Sequence, residues 1–139
     1  MPRAVYTFAI TLPFTLLLDY LWLGRLAKPF YLSELGPYVR RRGDELVPVY
    51  WAAALVYILI PLGAVLFALP RVNPENATLS SIGWGGLFGL VLYGVYDFTN
   101  MATLERWPVR MVWVDICWGC FLCAATTAFA FRVDQWLAR

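Results

Sequence analysis

The sequence predicts an all-α integral membrane protein: one domain, residues 1–139, in which four transmembrane helices form an up-down-up-down bundle. Of the 139 residues, 61% are hydrophobic and 14% are charged, whereas an ordinary soluble domain is about 45–50% apolar and about 25% charged. The mean hydropathy is +0.64. Because a soluble fold of this composition would leave a large apolar surface in water, we exclude a disordered chain, a nucleic-acid binder and a typical soluble enzyme.

Four charge-poor windows predict the spans. A helix needs about 20 residues to cross the hydrocarbon core, and we expect helices over about residues 4–24, 47–69, 79–101 and 111–131. Tryptophan, tyrosine and arginine side chains mark the ends of these windows, at the level of the lipid headgroups. The strands of a β-barrel would need about ten residues that alternate between apolar and polar. The windows do not alternate, so we reject a barrel.

Span one is interpreted as a membrane helix and not as a cleaved signal peptide. Its apolar stretch is longer than the usual 7–15 or so residues, and no small-x-small cleavage site follows it. The connection after it, residues 25–45, is the one long connection and mixes aromatic with charged residues. Two interpretations of it stay open: a short helix in the membrane interface, or a solvated loop that enforces the topology.

Span three contains a Gly-x-x-x-Gly pair, Gly85 and Gly89, with Gly86 beside it. Small residues allow two helix backbones to approach closely. We expect these glycines to pack within the bundle, and dimerisation or docking on a larger partner is the alternative.

Span four carries Cys117, Cys120 and Cys123, spaced three residues apart. On a helix these side chains point in different directions, so we interpret them as packing residues and not as metal ligands. The chain contains no histidine, which is the commonest metal ligand and catalytic base. It also lacks a glycine-rich phosphate loop, and we expect neither a metal nor a cofactor.

The basic residues predict the orientation. Those of the first and third connections outnumber those on the opposite side, so the positive-inside rule puts these connections in the cytoplasm or an organelle matrix. Both termini then lie on the other side of a bacterial inner membrane or of an organellar membrane such as the mitochondrial inner membrane. The residues on the basic side are Arg25, Lys28, Arg40, Arg41, Arg42, Arg106 and Arg110, against Arg3, Arg71, Arg132 and Arg139.

Three acidic residues lie inside the spans, and we expect them at one depth. Asp19 is near the end of span one, Asp97 near the end of span three, and Asp115 near the start of span four, which runs back. An acid at a helix centre costs about 2.5–3.5 kcal/mol, so these carboxyls should face the interior of the bundle and find partners there. The expected members of this polar cluster are Asp19, Asp97, Asp115, Tyr93, Asn100, Arg25, Arg106, Arg110 and Trp118.

The acidic cluster has two interpretations. It is a proton or cation relay or a headgroup pocket, since acids inside a membrane often have a function, or it is a structural lock that fixes which helices meet. A relay across the membrane would need acids at every depth, and no acid marks the other half of the windows.

Three strings carry a resemblance to a known family: LDYLWLG at residues 18–24, YDFTNMATL at 96–104, and WP at 107–108 followed by VDICWG at 114–119. With them, the chain resembles a family of short predicted membrane proteins from bacteria and some unicellular eukaryotes, the domain of unknown function numbered two-one-seven-seven. The resemblance implies four spans over nearly the whole chain. It brings no activity, ligand or catalytic residue.

The favoured function is non-catalytic: an accessory or structural subunit of a larger membrane complex, or a homo-oligomer, in contact with membrane lipids. The missing catalytic groups, the glycine face and the small size of the chain motivate this prediction. The alternative is a small transporter or a lipid- or cation-binding protein that uses Asp19, Asp97 and Asp115. A membrane enzyme comes last.

Overall fold

The computed structural model describes residues 2–43 and 45–139, without the side chains of residues 37, 45 and 46. Within these residues, four helices are long and apolar enough to cross a membrane: Pro2–Leu26, Tyr50–Arg71, Pro74–Thr103 and Val109–Leu137. The predicted all-α membrane class is therefore confirmed. Span two begins at Tyr50 and not at residue 47, because Pro48 favours an extended backbone at the residue before it.

Span one consists of α1 (Pro2–Leu21) and a wider helical turn, Trp22–Leu26, which closes with a 2.7 Å hydrogen bond from the Ala27 amide to the Trp22 carbonyl. The chain then forms the short helix α2 (Lys28–Leu35), with a proline in its first turn, where the missing amide costs no hydrogen bond. The first part of this connection is therefore a short helix.

A two-stranded hairpin precedes span two. The strands β1 (Arg41–Arg42) and β2 (Glu45–Leu46) pair antiparallel, and Gly43 in the turn has a φ of 62°, which glycine adopts without strain. Span two is α3 (Tyr50–Gly63), continued by a wide turn, Ala64–Ala68, and a 3-10 turn, Leu69–Arg71. Spans three and four contain α4 (Ala77–Thr103) and α5 (Val109–Leu137).

α5 is the central helix, and its packing on α4 depends on glycine. A Cβ atom on Gly85 would lie 2.6 Å from the Cys123 carbonyl oxygen, and one on Gly89 would overlap the backbone of Gly119. Gly86 lies beside this contact, since its Cβ would be 3.9 Å from the nearest atom. The glycine face of α4 therefore packs against α5 of the same chain.

Span two diverges from α4 along its length. Its second half, from Ala64 onward, packs against α4, whereas α3 packs against α1 and α5 and makes no close backbone contact with α4 within the described residues. A cleft therefore lies between α3 and α4, in the half of the bundle that contains Asp19, Asp97 and Asp115.

Candidate functional site

The cleft leads into a cavity of about 500 Å³, which we call the acid pocket. Its polar wall contains two carboxyl groups, Asp19 of α1 and Asp115 of α5. The rings of four tyrosines, Tyr31, Tyr57, Tyr93 and Tyr96, complete this wall. The remaining wall is apolar and includes Leu23, Leu35, Val56, Leu59, Ile60 and Leu92.

Asp19 is 3% exposed and is held by an indole. The Trp118 Nε1 donates a 2.9 Å hydrogen bond to the Asp19 Oδ1. The Trp118 ring in turn stacks on Trp22, with ring centroids 4.6 Å apart and planes 6° from parallel. Tyr57 faces the same carboxyl from α3. Asp19 thus joins α1 to α5 through a donor that carries no charge.

Asp115 is 9% exposed and is held by α2. The Tyr31 hydroxyl donates a 2.5 Å hydrogen bond to the Asp115 Oδ1, and the Trp22 indole donates to the Tyr31 oxygen at 3.4 Å. Burial raises the pKa of Tyr31, and the nearby Asp115 charge raises it further. The phenol therefore remains a donor throughout the physiological pH range.

Asp97 is fully buried and lies behind the acid pocket, beside the Asp115 carboxyl. The Trp107 Nε1 donates to its Oδ1 at 3.4 Å. Its Oδ2 has no hydrogen-bond partner among residues 2–43 and 45–139. Asn100, one turn later on α4, faces Tyr96 instead. The three acids of the predicted cluster therefore lie in one region, with two of them in the pocket wall.

The three arginines predicted for this cluster do not reach it. Arg25, Arg106 and Arg110 are exposed. Arg110 pairs with Glu34 at 3.4 Å, and within the described part of the chain the other ion pair joins Arg3 to Asp134. A guanidinium loses hydration when it is buried, so it stays at the surface while tyrosine and tryptophan donors satisfy the carboxyls. This part of the prediction needs correction.

The sequence-based prediction did not include Tyr31, Tyr57 or Tyr96. Tyr31 lies in the long connection, far from the acids in sequence, so no spacing pattern within a span could indicate it. It also did not include the buried side of α1, which carries Thr7, Thr11, Thr15 and Asp19. Their constant spacing of four residues was a visible signal, because residues four apart share one face of a helix.

Metal binding receives no support from the acids or cysteines. Within the described residues, no group of three or more histidine, cysteine, aspartate or glutamate side chains could hold a metal ion. Cys117 is exposed, Cys120 is half-buried and Cys123 is buried, and all three are free thiols. Their different burial reflects their different directions on α5.

In comparisons with known proteins, the chain matches a protein family. A family model described as "Predicted membrane protein (DUF2177)" matches residues 4–132. No curated protein and no solved structure gives a significant match. The matched region contains Asp19 and Asp115, the two carboxyls of the pocket wall, and it also contains Asp97 and Tyr31.

Proposed function

We propose, given that the chain belongs to the DUF2177 family of predicted membrane proteins, that it binds an amine-bearing amphiphile in the acid pocket. The family description states a membrane location and no activity, so the proposal depends on the pocket. The observation that carries it is one cavity whose wall combines two buried carboxyls with four tyrosine rings.

The charge of the pocket favours a cation. The described residues of its wall include Asp19 and Asp115 and no lysine or arginine. Removing a carboxylate from water costs several kcal/mol unless an opposite charge or strong hydrogen bonds compensate. Trp118 donates a neutral hydrogen bond to Asp19, and Tyr31 donates one to Asp115. A ligand ammonium group would supply the positive charge that the wall lacks.

The tyrosines favour an organic cation over a metal ion. An ammonium group within about 6 Å of an aromatic face gains about 0.5–2 kcal/mol, and sites for alkylated ammonium groups are often built from such rings. Calcium or magnesium would need six or more oxygen ligands, or several retained waters. Two carboxyls among tyrosine rings match an amine better.

The cleft between α3 and α4 favours a ligand that enters from the bilayer. Val56 and Leu59 on α3 and Leu92 on α4 line the pocket and are exposed on the outer surface of the spans. An alkyl chain can lie along these side chains while the amine reaches Asp19 and Asp115. A volume of about 500 Å³ suits one small ligand.

The accessory-subunit prediction ranks second. One of its reasons was the glycine face of span three, and Gly85 and Gly89 are occupied by α5 of the same chain. In the predicted orientation, the acid pocket lies nearer the cytoplasmic or matrix side, and we retain that orientation as part of the proposal.

Isothermal titration calorimetry of the protein in phosphatidylcholine nanodiscs tests the proposal, with empty nanodiscs to subtract partition into lipid. We expect saturable binding of octylamine and none of octanol or octanoate. Asp19→Asn should weaken octylamine binding about tenfold or more, because a charge-assisted hydrogen bond contributes about 1.5–3 kcal/mol. Glu75→Gln, which changes an exposed carboxylate in the first turn of span three, should bind as the wild type does.

A second variant covers the case in which Asp19→Asn does not fold. Val56→Trp places a large ring at the mouth of the pocket on a lipid-facing position, and should abolish octylamine binding. Val5→Trp, at an equally lipid-exposed position near the start of α1, is the matched control. Equal binding of octanol and octylamine, or full binding by Val56→Trp, would contradict the proposal. Migration of the extracted protein as a large complex on native gels would favour the subunit prediction.

A further inference from the structure

The interface between α1 and α5 is polar across much of the membrane. The buried side of α1 consists of Thr7, Thr11, Thr15 and Asp19, while apolar residues such as Val5 and Leu17 are exposed on its outer side. At 1.5 Å per residue, Thr7 and Asp19 are about 18 Å apart along the helix, against about 30 Å of hydrocarbon. The threonine hydroxyls of α1 therefore lie on its buried side, and its apolar side chains lie on the outside.

α5 extends this stripe at the end near Thr7 and meets it again at Thr15. Asp134 accepts a 2.8 Å hydrogen bond from the Arg3 Nε and lies 3.5 Å from the Thr7 Oγ1. In the middle, the Thr15 and Thr126 hydroxyls are 3.1 Å apart. We call Thr7, Thr11, Thr15 and Thr126 the threonine seam. It begins at Asp134 and ends at Thr15, one helical turn before Asp19 on the same buried side of α1. Asp134 lies beyond residue 131, where the sequence predicted span four to end.

One hydroxyl of the seam is unsatisfied by protein. Thr7 donates to the Arg3 carbonyl and Thr15 to the Thr11 carbonyl, as hydroxyls on membrane helices often do. The Thr11 Oγ1 is fully buried and has no partner in the part of the chain that the structure describes. Buried polar groups of this kind are usually satisfied by an internal water. Thr11 lies midway between Thr7 and Thr15, so a water there would bridge the seam.

We propose that the threonine seam, hydrated at Thr11, is a proton path between the acid pocket and the opposite face of the membrane. The Asp134 carboxylate, which pairs with Arg3, takes up a proton from the water at that face and passes it to the seam, and each hydroxyl or water oxygen along the seam accepts one proton and releases another. Asp19 receives the last proton, and each seam group ends with the hydrogens it began with. No oxidant or reductant is needed.

At the inner end of the path, the groups that face Asp19 are Trp118, Tyr57, Tyr93 and Asp115. At the outer end, Arg3 faces Asp134. Among the described residues of the pocket wall, Asp115 is the other acid, so it is the group that passes the proton onward to the basic side. This route does not depend on whether the pocket binds an amine.

Proton flux into proteoliposomes that contain the dye pyranine tests the path, with valinomycin and potassium to clamp the membrane potential. Wild-type vesicles should dissipate a pH gradient faster than protein-free vesicles. Thr11→Val keeps the shape of the side chain and removes the hydroxyl, so it should slow the protein-dependent rate about threefold or more, since the average hydrogen bond between membrane helices corresponds to roughly threefold in rate. Thr99→Val, at an exposed threonine of α4, should leave the rate unchanged.

Thr11→Ser separates conduction from folding, because serine keeps the hydroxyl and should retain most of the wild-type rate. Two results would overturn the proposal: a wild-type flux no greater than that of empty vesicles, or equal rates for the wild type and Thr11→Val. Octylamine binding by Thr11→Val should equal that of the wild type. If the wild type conducts protons but does not bind octylamine, the proposed pocket ligand is rejected and the proposed proton path is not.

Discussion

The two sides of α5 meet their neighbours by different physical means. Toward α4 the contact is steric: Gly85 and Gly89 let two backbones touch. Toward α1 the contact is polar: Trp118 donates to Asp19, and the Thr15 and Thr126 hydroxyls meet. Lipid tails are as apolar as leucine, so membrane helices associate through close packing or hydrogen bonds. In this protein α5 packs closely against α4 and forms hydrogen bonds with α1. The proposed ligand pocket and proton path use groups on the α1 side.

The largest expected effect is on the glycine side. Gly89→Ala should destabilise the protein by about 3 kcal/mol, because the new methyl overlaps the Gly119 backbone and the two helices must separate. The methyl of Gly86→Ala would lie in ordinary van der Waals contact, 3.9 Å from the Cys120 carbonyl oxygen, so this change should be nearly neutral. SDS titration in mixed micelles, followed by circular dichroism, measures both. If Gly89→Ala is as stable as Gly86→Ala, the close α4–α5 contact is wrong.

On the polar side, Tyr31→Phe removes the hydrogen bond to Asp115 and should cost about 1.5 kcal/mol at neutral pH. Burial raises the pKa of Tyr31 above its ordinary value of 10.0, so the phenol's contribution is complete below about pH 10 and is lost as the pH rises toward the folded-state pKa. The gap between wild type and Tyr31→Phe should therefore narrow in alkaline solution.

Thermal unfolding at about pH 8 and about pH 11 measures this gap, on either side of the ordinary tyrosine pKa. Tyr6→Phe, at an exposed tyrosine of α1, is the matched control. A gap that widens at the higher pH would contradict the buried phenol donor.

The smallest effect concerns the threonine seam. A double-mutant cycle of Thr15→Val and Thr126→Val should give a coupling of about 0.6 kcal/mol, since hydrogen bonds between membrane helices average that value. The same SDS titration measures it, and Thr15→Val with Thr99→Val is the uncoupled comparison. A coupling of zero for Thr15 and Thr126 would leave the α1–α5 contact without its central hydrogen bond.

The sequence by itself determined the class of protein and the number of spans. Hydrophobicity acts on each residue wherever its neighbours lie, so charge-poor windows of helical length are sufficient to count helices. The positions of Asp19, Asp97 and Asp115 near the span ends also followed from counting. The spacing of Thr7, Thr11 and Thr15 was equally legible, although only the packed helices show that this face meets α5.

Only the tertiary structure decided which side chains meet. Tyr31 reaches Asp115 because α2 folds back against α5, and Arg110 turns to Glu34 at the surface instead of to an acid inside. Such pairings depend on the rotation and register of helices that are distant in the chain. A local hydrophobic pattern carries no information about them, and the desolvation of each candidate partner then selects phenol and indole donors over arginine.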